Sequence, residues 1–290
     1  MLYSLKMPKF RRSHFLALLF WSWAMAKAAH GQRRTIRGDR WLTVAALRGY
    51  VEIQPMGETR RRARLGDRLD RVGDILTTGP QASARLEVDL AIGFVSVAEN
   101  SQLQIRTLSI TQNGARITEL FVLRGQVRLR VRPLTNPDTR LEIHTPAGVS
   151  GVRGTDFGVT VALDGQTGVA TLEGRVVASA QGQTVSVAAD QQSLIRQGEA
   201  PTPPAPLRND PTLYIEVLRV TDTTDEQNRP LVQVAGYTDV VNLLRLAGEQ
   251  VTLDRNGRFD MFLPIVANRR IEALVTTPLG TIQTYELVVP

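Results

Sequence analysis

Cysteine is absent from this 290-residue chain, so thiol catalysis, disulfides and cysteine-built zinc sites are excluded. Lysine is nearly absent: the three present, Lys6, Lys9 and Lys27, all fall in the first 28 residues. Aromatic residues make up only 6% and tryptophan occurs three times, with Trp41 alone beyond residue 28. Beyond residue 28 histidine is limited to His30 and His144, which leaves one plausible base for a serine triad. No G-x-S-x-G elbow accompanies it, since residues 148–152 read Gly-Val-Ser-Gly-Val. His144, next to Thr145-Pro146, reads as a strand-end residue, and the chain is expected not to be an enzyme and to carry no cofactor or metal. No segment after Ala28 sustains a helical period.

The one long apolar run lies at the start. Lys6, Lys9, Arg11 and Arg12 precede an apolar stretch of twelve residues, 15–26, with Ala24-Met25-Ala26 and Ala26-Lys27-Ala28 at its end. A basic segment, a short apolar stretch and small-x-small sites make a secretory signal peptide over residues 1–28, and imply a periplasmic or secreted protein. A membrane-spanning helix needs about twenty apolar residues, so no stable span is expected after cleavage. The general secretory route fits better than the twin-arginine one, because Ser13-His14 displaces Phe15 from its preferred place.

Removing that segment changes the electrostatics. The chain has 35 basic and 28 acidic residues, and residues 1–28 hold five of the bases and none of the acids. The remainder is nearly neutral, about +2. Its densest basic run, Arg60, Arg61, Arg62 and Arg64, has no interleaved aromatics and reads as a solvated hairpin tip, so no nucleic-acid partner is expected.

What remains alternates with period two. Residues 85–90 and 126–132 place Leu86, Val88, Val127, Leu129 and Val131 on one face and charged residues on the other. Glu119 and Glu142 are the expected partners of the outward arginines of 126–132. Asn113-Gly114, Asp164-Gly165 and Asn256-Gly257 are hairpin turn signals. Five prolines within residues 198–211 read as an extended, semi-rigid linker between two β domains, 41–197 and 212–290.

The most distinctive stretch is 145–157, TPAGVSGVRGTDF, expected to be a structural loop carried by Thr145, Pro146, Gly148, Gly151, Arg153, Gly154, Thr155, Asp156 and Phe157. An Arg153–Asp156 ion pair would lock it, with the Thr155 hydroxyl bonding locally. A phosphate cradle is disfavoured, because the glycines lead into a strand rather than a helix.

Together with ARLGDRLDRVGDILTTGPQASARLEV (63–88), ENSQLQIRTL (99–108), VLRGQVRLRV (122–131) and VATLEGRVVAS (169–179), this stretch resembles the FecR domain, an exported bacterial all-β module. The resemblance runs over about 160 residues, 41–197. It implies an all-β fold, a FecR-type β-sandwich or short β-solenoid. Its best-known members act in iron-uptake signalling, with a cytoplasmic segment that holds a sigma factor, a transmembrane helix and a C-terminal signalling domain. Here only about fourteen residues precede the apolar run and the chain closes in strands, so direct sigma-factor control is not expected.

The C-terminal part resembles bacterial immunoglobulin-like modules through Val234-Ala235-Gly236, residues 248–254, Asn256-Gly257-Arg258-Phe259 and residues 271–280. A small immunoglobulin-like β-sandwich is therefore expected over 212–290. Asp254, Asn256 and Asp260 have the alternate spacing of calcium ligands, yet no distal glutamate follows and a turn demands the same residues. The function expected is an exported, non-catalytic protein-interaction or signalling module of the cell envelope, binding a protein partner through strand addition or an arginine-bearing face. Envelope carbohydrate binding and iron-responsive transmembrane signalling are the alternatives.

Overall fold

The computed structural model describes residues 40–290, apart from Leu90, Ala91 and Arg153. The leader read over 1–28 lies outside the described residues. Residues 39–290 form one compact unit, and no described helix is long and apolar enough to cross a membrane. The described chain is all-β.

Its first 17 strands are β1 (Leu42–Arg48), β2 (Val51–Gln54), β3 (Arg61–Arg62), β4 (Arg68–Leu69), β5 (Ile75–Thr78), β6 (Ser83–Val88), β7 (Gly93–Val97), β8 (Gln102–Ile110), β9 (Arg116–Val131), β10 (Arg140–His144), β11 (Val149–Val152), β12 (Asp156–Val161), β13 (Thr167–Glu173), β14 (Arg175–Ala180), β15 (Gln183–Ala188), β16 (Gln191–Ile195) and β17 (Ala205–Pro206). They build two layers. The first runs β4-β1-β6-β7-β9-β12-β13-β16-β17 and the second β3-β2-β5-β8-β9-β10-β11-β14-β15. All pairings are antiparallel except β9 with β10. Alternate residues from both layers meet in one apolar core that includes Leu86, Val95, Leu103, Leu120, Leu129, Ile143, Phe157 and Val176. The arrangement is a two-layer sandwich, and burial of each such side chain contributes roughly 1.5–3 kcal/mol.

Strand β9 belongs to both layers. Residues 116–124 pair with β8 in the second, while residues 125–130 pair with β12 in the first. The change of layer falls at Gly125, whose φ is +93°. A Cβ there would lie 2.5 Å from Ser101 Cα. Ser101 is fully buried, and its hydroxyl accepts the Gln126 N–H at 3.0 Å, satisfying the backbone just beyond the bend. One end of the sandwich is closed by Arg40, whose guanidinium donates to Asp89 and Thr118 Oγ1, each at 2.6 Å, and to the Ser109 and Ile117 carbonyls. Both charges are buried and fully hydrogen-bonded, the condition under which such a pair is tolerated.

After Pro211 come β18 (Tyr214–Thr224), β19 (Pro230–Tyr237), β20 (Leu243–Leu246), β21 (Glu249–Val251), β22 (Arg258–Pro264), β23 (Arg270–Thr276) and β24 (Ile282–Val288). They form a three-stranded sheet, β18-β19-β22, and a four-stranded one, β21-β20-β23-β24, around a second core of Val232, Val234, Leu244, Phe259, Ile271 and Val275. Within residues 198–211, Ala205–Pro206 pair with β16, Pro201 is buried and Leu207 N donates to Asp190 O, so this stretch is bound along the first sandwich. The two sandwiches touch directly. Thr160 Oγ1 donates to Val241 O at 2.6 Å, Gln126 Nε2 to Pro278 O at 2.7 Å, and Gln192 Nε2 to Asp239 at 3.0 Å. Gly158 lies so close to the Pro278 carbonyl that no Cβ fits between them.

Of the three turn signals, Asn113-Gly114 and Asp164-Gly165 join paired strands, β8 to β9 and β12 to β13. Asn256-Gly257 makes a turn but no hairpin, because β21 and β22 belong to different sheets. In the arginine run 60–64, Arg61–Arg62 form the short exposed edge strand β3, the returning arm of a hairpin with β2, so the run sits just past the tip of that hairpin.

Gly125→Val would force a branched side chain into positive φ and into Ser101; the expected result is loss of the soluble folded protein, or destabilisation above about 3 kcal/mol. A soluble variant with an unchanged denaturant midpoint would show that the bend does not carry the sandwich. A second expectation concerns acid. Asp67 is held below the usual carboxylate range by hydrogen bonds from Arg61 and then from the Arg64 N–H, Asp225 by the Arg229 N–H and its side chain, and Asp254 by the Arg258 and Asn256 N–H groups. Groups lowered in the folded state stabilise it above the unfolded value of about 3.9 and lose that contribution as pH falls through the folded values. Tm should therefore hold from pH 7 to about 4.5 and fall below about 4, less steeply in Asp254→Asn. Parallel Tm profiles for parent and variant between pH 2.5 and 7 would contradict this.

Candidate functional site

Stretch 145–157 is two turns flanking a strand, not one loop. In the first turn Thr145 Oγ1 donates to Gly148 O and accepts from Gly148 N, both at 3.2 Å, and receives the Thr167 hydroxyl at 2.9 Å. Pro146 is half-buried there. Residues 149–152 then form β11, with Gly151 opposite Glu142 on one side and Val177 on the other. Arg153 lies outside the described residues. Gly154 turns at a φ of +72°, with the place of a Cβ 2.6 Å from Pro133 Cα. Thr155 follows, then Asp156 opens β12 and Phe157 is fully buried in the core. The local bond expected of Thr155 does not form: its hydroxyl is buried and has no partner among the described residues. Its methyl is the side-chain atom turned toward Gly174.

Asp156 is where charge converges. Its Oδ1 accepts Arg128 Nε at 2.8 Å, and its Oδ2 accepts Arg128 Nη2 at 2.8 Å and Arg130 Nε at 3.0 Å. That bidentate bond raises the Arg128 guanidinium above its ordinary value, against a smaller opposing effect of burial. Of the outward arginines of 126–132, Arg128 and Arg130 thus pair with Asp156, and not with Glu119 or Glu142. The reason is the bend at Gly125, which puts Arg128 and Arg130 beside β12 and leaves Glu119 and Glu142 on the other layer.

Glu119 and Glu142 face each other across β9 and β10, with His144 two residues on from Glu142. Their ligand atoms and the His144 ring lie within 4.8 Å of one another, close enough for the three to be compared with a metal site. Arg140 already serves as the cation, 3.6 Å from each carboxylate, while Thr107 donates to Glu119 at 2.7 Å. His144, at the end of β10, contacts Glu142 at 3.2 Å. Asp254 is likewise spent on a turn: its Oδ1 accepts from Asn256 N at 2.7 Å and Arg258 N at 2.8 Å. Asp260 bonds Gln233 instead, so the spacing that resembled a calcium loop is divided between two structures.

Two aromatic arrangements were not legible beforehand. Arg68 covers Trp41 at 4.2 Å, which removes the only described tryptophan as an open platform. Tyr214 and Tyr237, 23 residues apart in sequence, stack at 4.6 Å beside a cavity of about 360 Å3 that Asp210, Asp239 and Arg255 also line.

Thr155→Val removes the unpartnered hydroxyl at constant shape and is expected to leave stability unchanged or raise it by up to about 1 kcal/mol. Destabilisation beyond about 1 kcal/mol in denaturant unfolding would reveal a partner for that hydroxyl.

No curated protein matches the chain. Two crystal structures of a candidate anti-sigma factor from Parabacteroides distasonis ATCC 8503 are similar at 12% identity, with TM-scores of 0.37 and 0.38, covering 46% of this chain and 59% of that one. Residues 74–177, from just before β5 into β14 and including the whole of stretch 145–157, match the FecR protein family.

Proposed function

We propose that this chain is an exported, non-catalytic protein-interaction or signalling module of the cell envelope. The observation that carries the reading is the FecR match over residues 74–177, which supports an envelope-associated signalling or regulatory role with a protein partner. Export rests on the basic and apolar leader of residues 1–28. The geometry adds support: the carboxylates of Asp156, Glu119, Glu142 and Asp254 are all engaged in ion pairs or turn bonds.

We assign the second sandwich to the immunoglobulin-like class. In support, its sheets take its strands in the orders first-second-fifth and fourth-third-sixth-seventh. This differs from the seven-stranded immunoglobulin arrangement only in the sheet that the fourth strand joins. A second reading, envelope glycan binding, is favoured by the stacked Tyr214–Tyr237 pair, since Tyr214 is 48% exposed beside its cavity.

Capture from the cell envelope with carboxyl-reactive crosslinking separates the two. A specific protein partner that the parent chain recovers and that Tyr214→Ala still recovers is the expected outcome. Recovery of glycan alone, abolished by Tyr214→Ala, would replace the first reading with the second.

A further inference from the structure

The second sandwich covers only part of the first layer's outer face. It sits over β12, β13 and β16, where Thr160, Gly168 and Gln192 meet it, and touches β9 through Gln126 and Arg128, which donate to the Pro278 and Leu279 carbonyls, leaving the outer side of β1, β6 and β7 and the Arg130 end of β9 open. That open side is the floor of a groove of about 900 Å3, and residues 279–284 of the second sandwich form its wall.

The floor is cationic. Arg48, Arg85, Arg128 and Arg130 line the groove, and Glu99 is the one acid among its lining residues. Glu99 already accepts the Gln81 N–H, and Asp156, just outside the groove, is shared by Arg128 and Arg130. Arg48 and Arg85 have no carboxylate partner among the described residues. Arg85 lies over the Phe94 ring at 5.1 Å, which orients its guanidinium without cancelling the charge. Arg130 is 65% exposed, so a second anion has access to it. In a chain that is nearly neutral beyond residue 28, this is a local excess of positive charge.

The wall is a strand edge. β24 ends its sheet, with β23 on one side and no paired strand on the other among the described residues. Ile282 and Thr284 project from β24 into the groove, and Ile282 is 47% exposed. An unpaired edge presents N–H and C=O groups to any extended segment. A strand added there would point every second side chain to the side that Ile282 and Thr284 share, toward the arginines.

We propose that this groove binds an extended acidic peptide segment of a partner protein. Its backbone adds to the edge of β24, and carboxylates at alternate positions pair with Arg48, Arg85 and Arg130. The inference rests on the interaction-module reading above and narrows it to one surface and one ligand chemistry. Guanidinium groups match carboxylates bidentately, and the two features act on one ligand only if it is both extended and acidic.

The test uses the purified chain and a fluorescein-labelled peptide of six Glu-Thr repeats, with six Lys-Thr repeats and polygalacturonate as comparators. Anisotropy should show binding of the Glu-Thr peptide that weakens steeply with salt, and no binding of the Lys-Thr peptide. Arg48→Glu/Arg85→Glu, both at exposed positions, should keep the parent Tm and lose at least tenfold in affinity. Hydrogen exchange should slow at the β24 amides when the peptide is bound. Undiminished affinity in the double variant, unchanged exchange at β24, absence of peptide binding at low salt, or stronger binding of polygalacturonate would each overturn the proposal. Envelope capture keeps the two levels apart. A double variant that recovers the same partner as the parent removes the groove and leaves the interaction reading standing, whereas a parent that recovers no protein removes the reading itself.

Discussion

One strand holds the first sandwich together. β9 gives its first half to one layer and its second half to the other, so neither layer is complete without the same continuous backbone. The change of direction needs a residue free to adopt positive φ and a site with no room for a Cβ; Gly125 meets both conditions, and Ser101 packs into the space and accepts the next N–H. The arginine positions follow from this bend. Beyond it, residues 128 and 130 face out of the layer that β12 joins, which delivers them to Asp156 instead of to the carboxylates that precede it along the chain.

A second constraint is small side chains on an outer face. Gly158 and Gly168 let the loops at 240–241 and 278–279 of the second sandwich approach the backbone of β12 and β13. Hydrogen bonds from Thr160, Gln126 and Gln166 then satisfy the carbonyls brought there. The proline-bearing segment between the sandwiches is fixed along β16, which limits the play that a free linker of that composition would allow. The groove is a product of this docking: its floor and its wall come from different sandwiches, and it exists only while they are held together.

The signature stretch owes its composition to packing. Phe157 fills the core, Gly154 turns against Pro133, and Thr145 ties its own turn to Thr167. Among the described residues of the stretch, Asp156 forms ion pairs, and these join two strands. This division accounts for so distinctive a pattern.

Period-two alternation by itself determined which residues of 85–88 and 126–132 enter the core, because a strand sends successive side chains to opposite faces whatever its neighbours are. Local chemistry likewise determined the turns at Asn113-Gly114 and Asp164-Gly165, where φ preference acts within a few residues. The same kind of signal at Asn256-Gly257 gave a turn whose flanking strands part into different sheets, since a turn motif fixes a reversal and not the pairing beyond it. Tertiary structure decided the rest: the partner of Arg128 and Arg130, the stacking of Tyr214 on Tyr237, the Arg68 cover on Trp41, and the meeting of Arg85 with β24 nearly two hundred residues away. Each depends on which strands become neighbours, and strand neighbours are chosen by the fit of entire faces across long loops, a property that no short run of sequence contains.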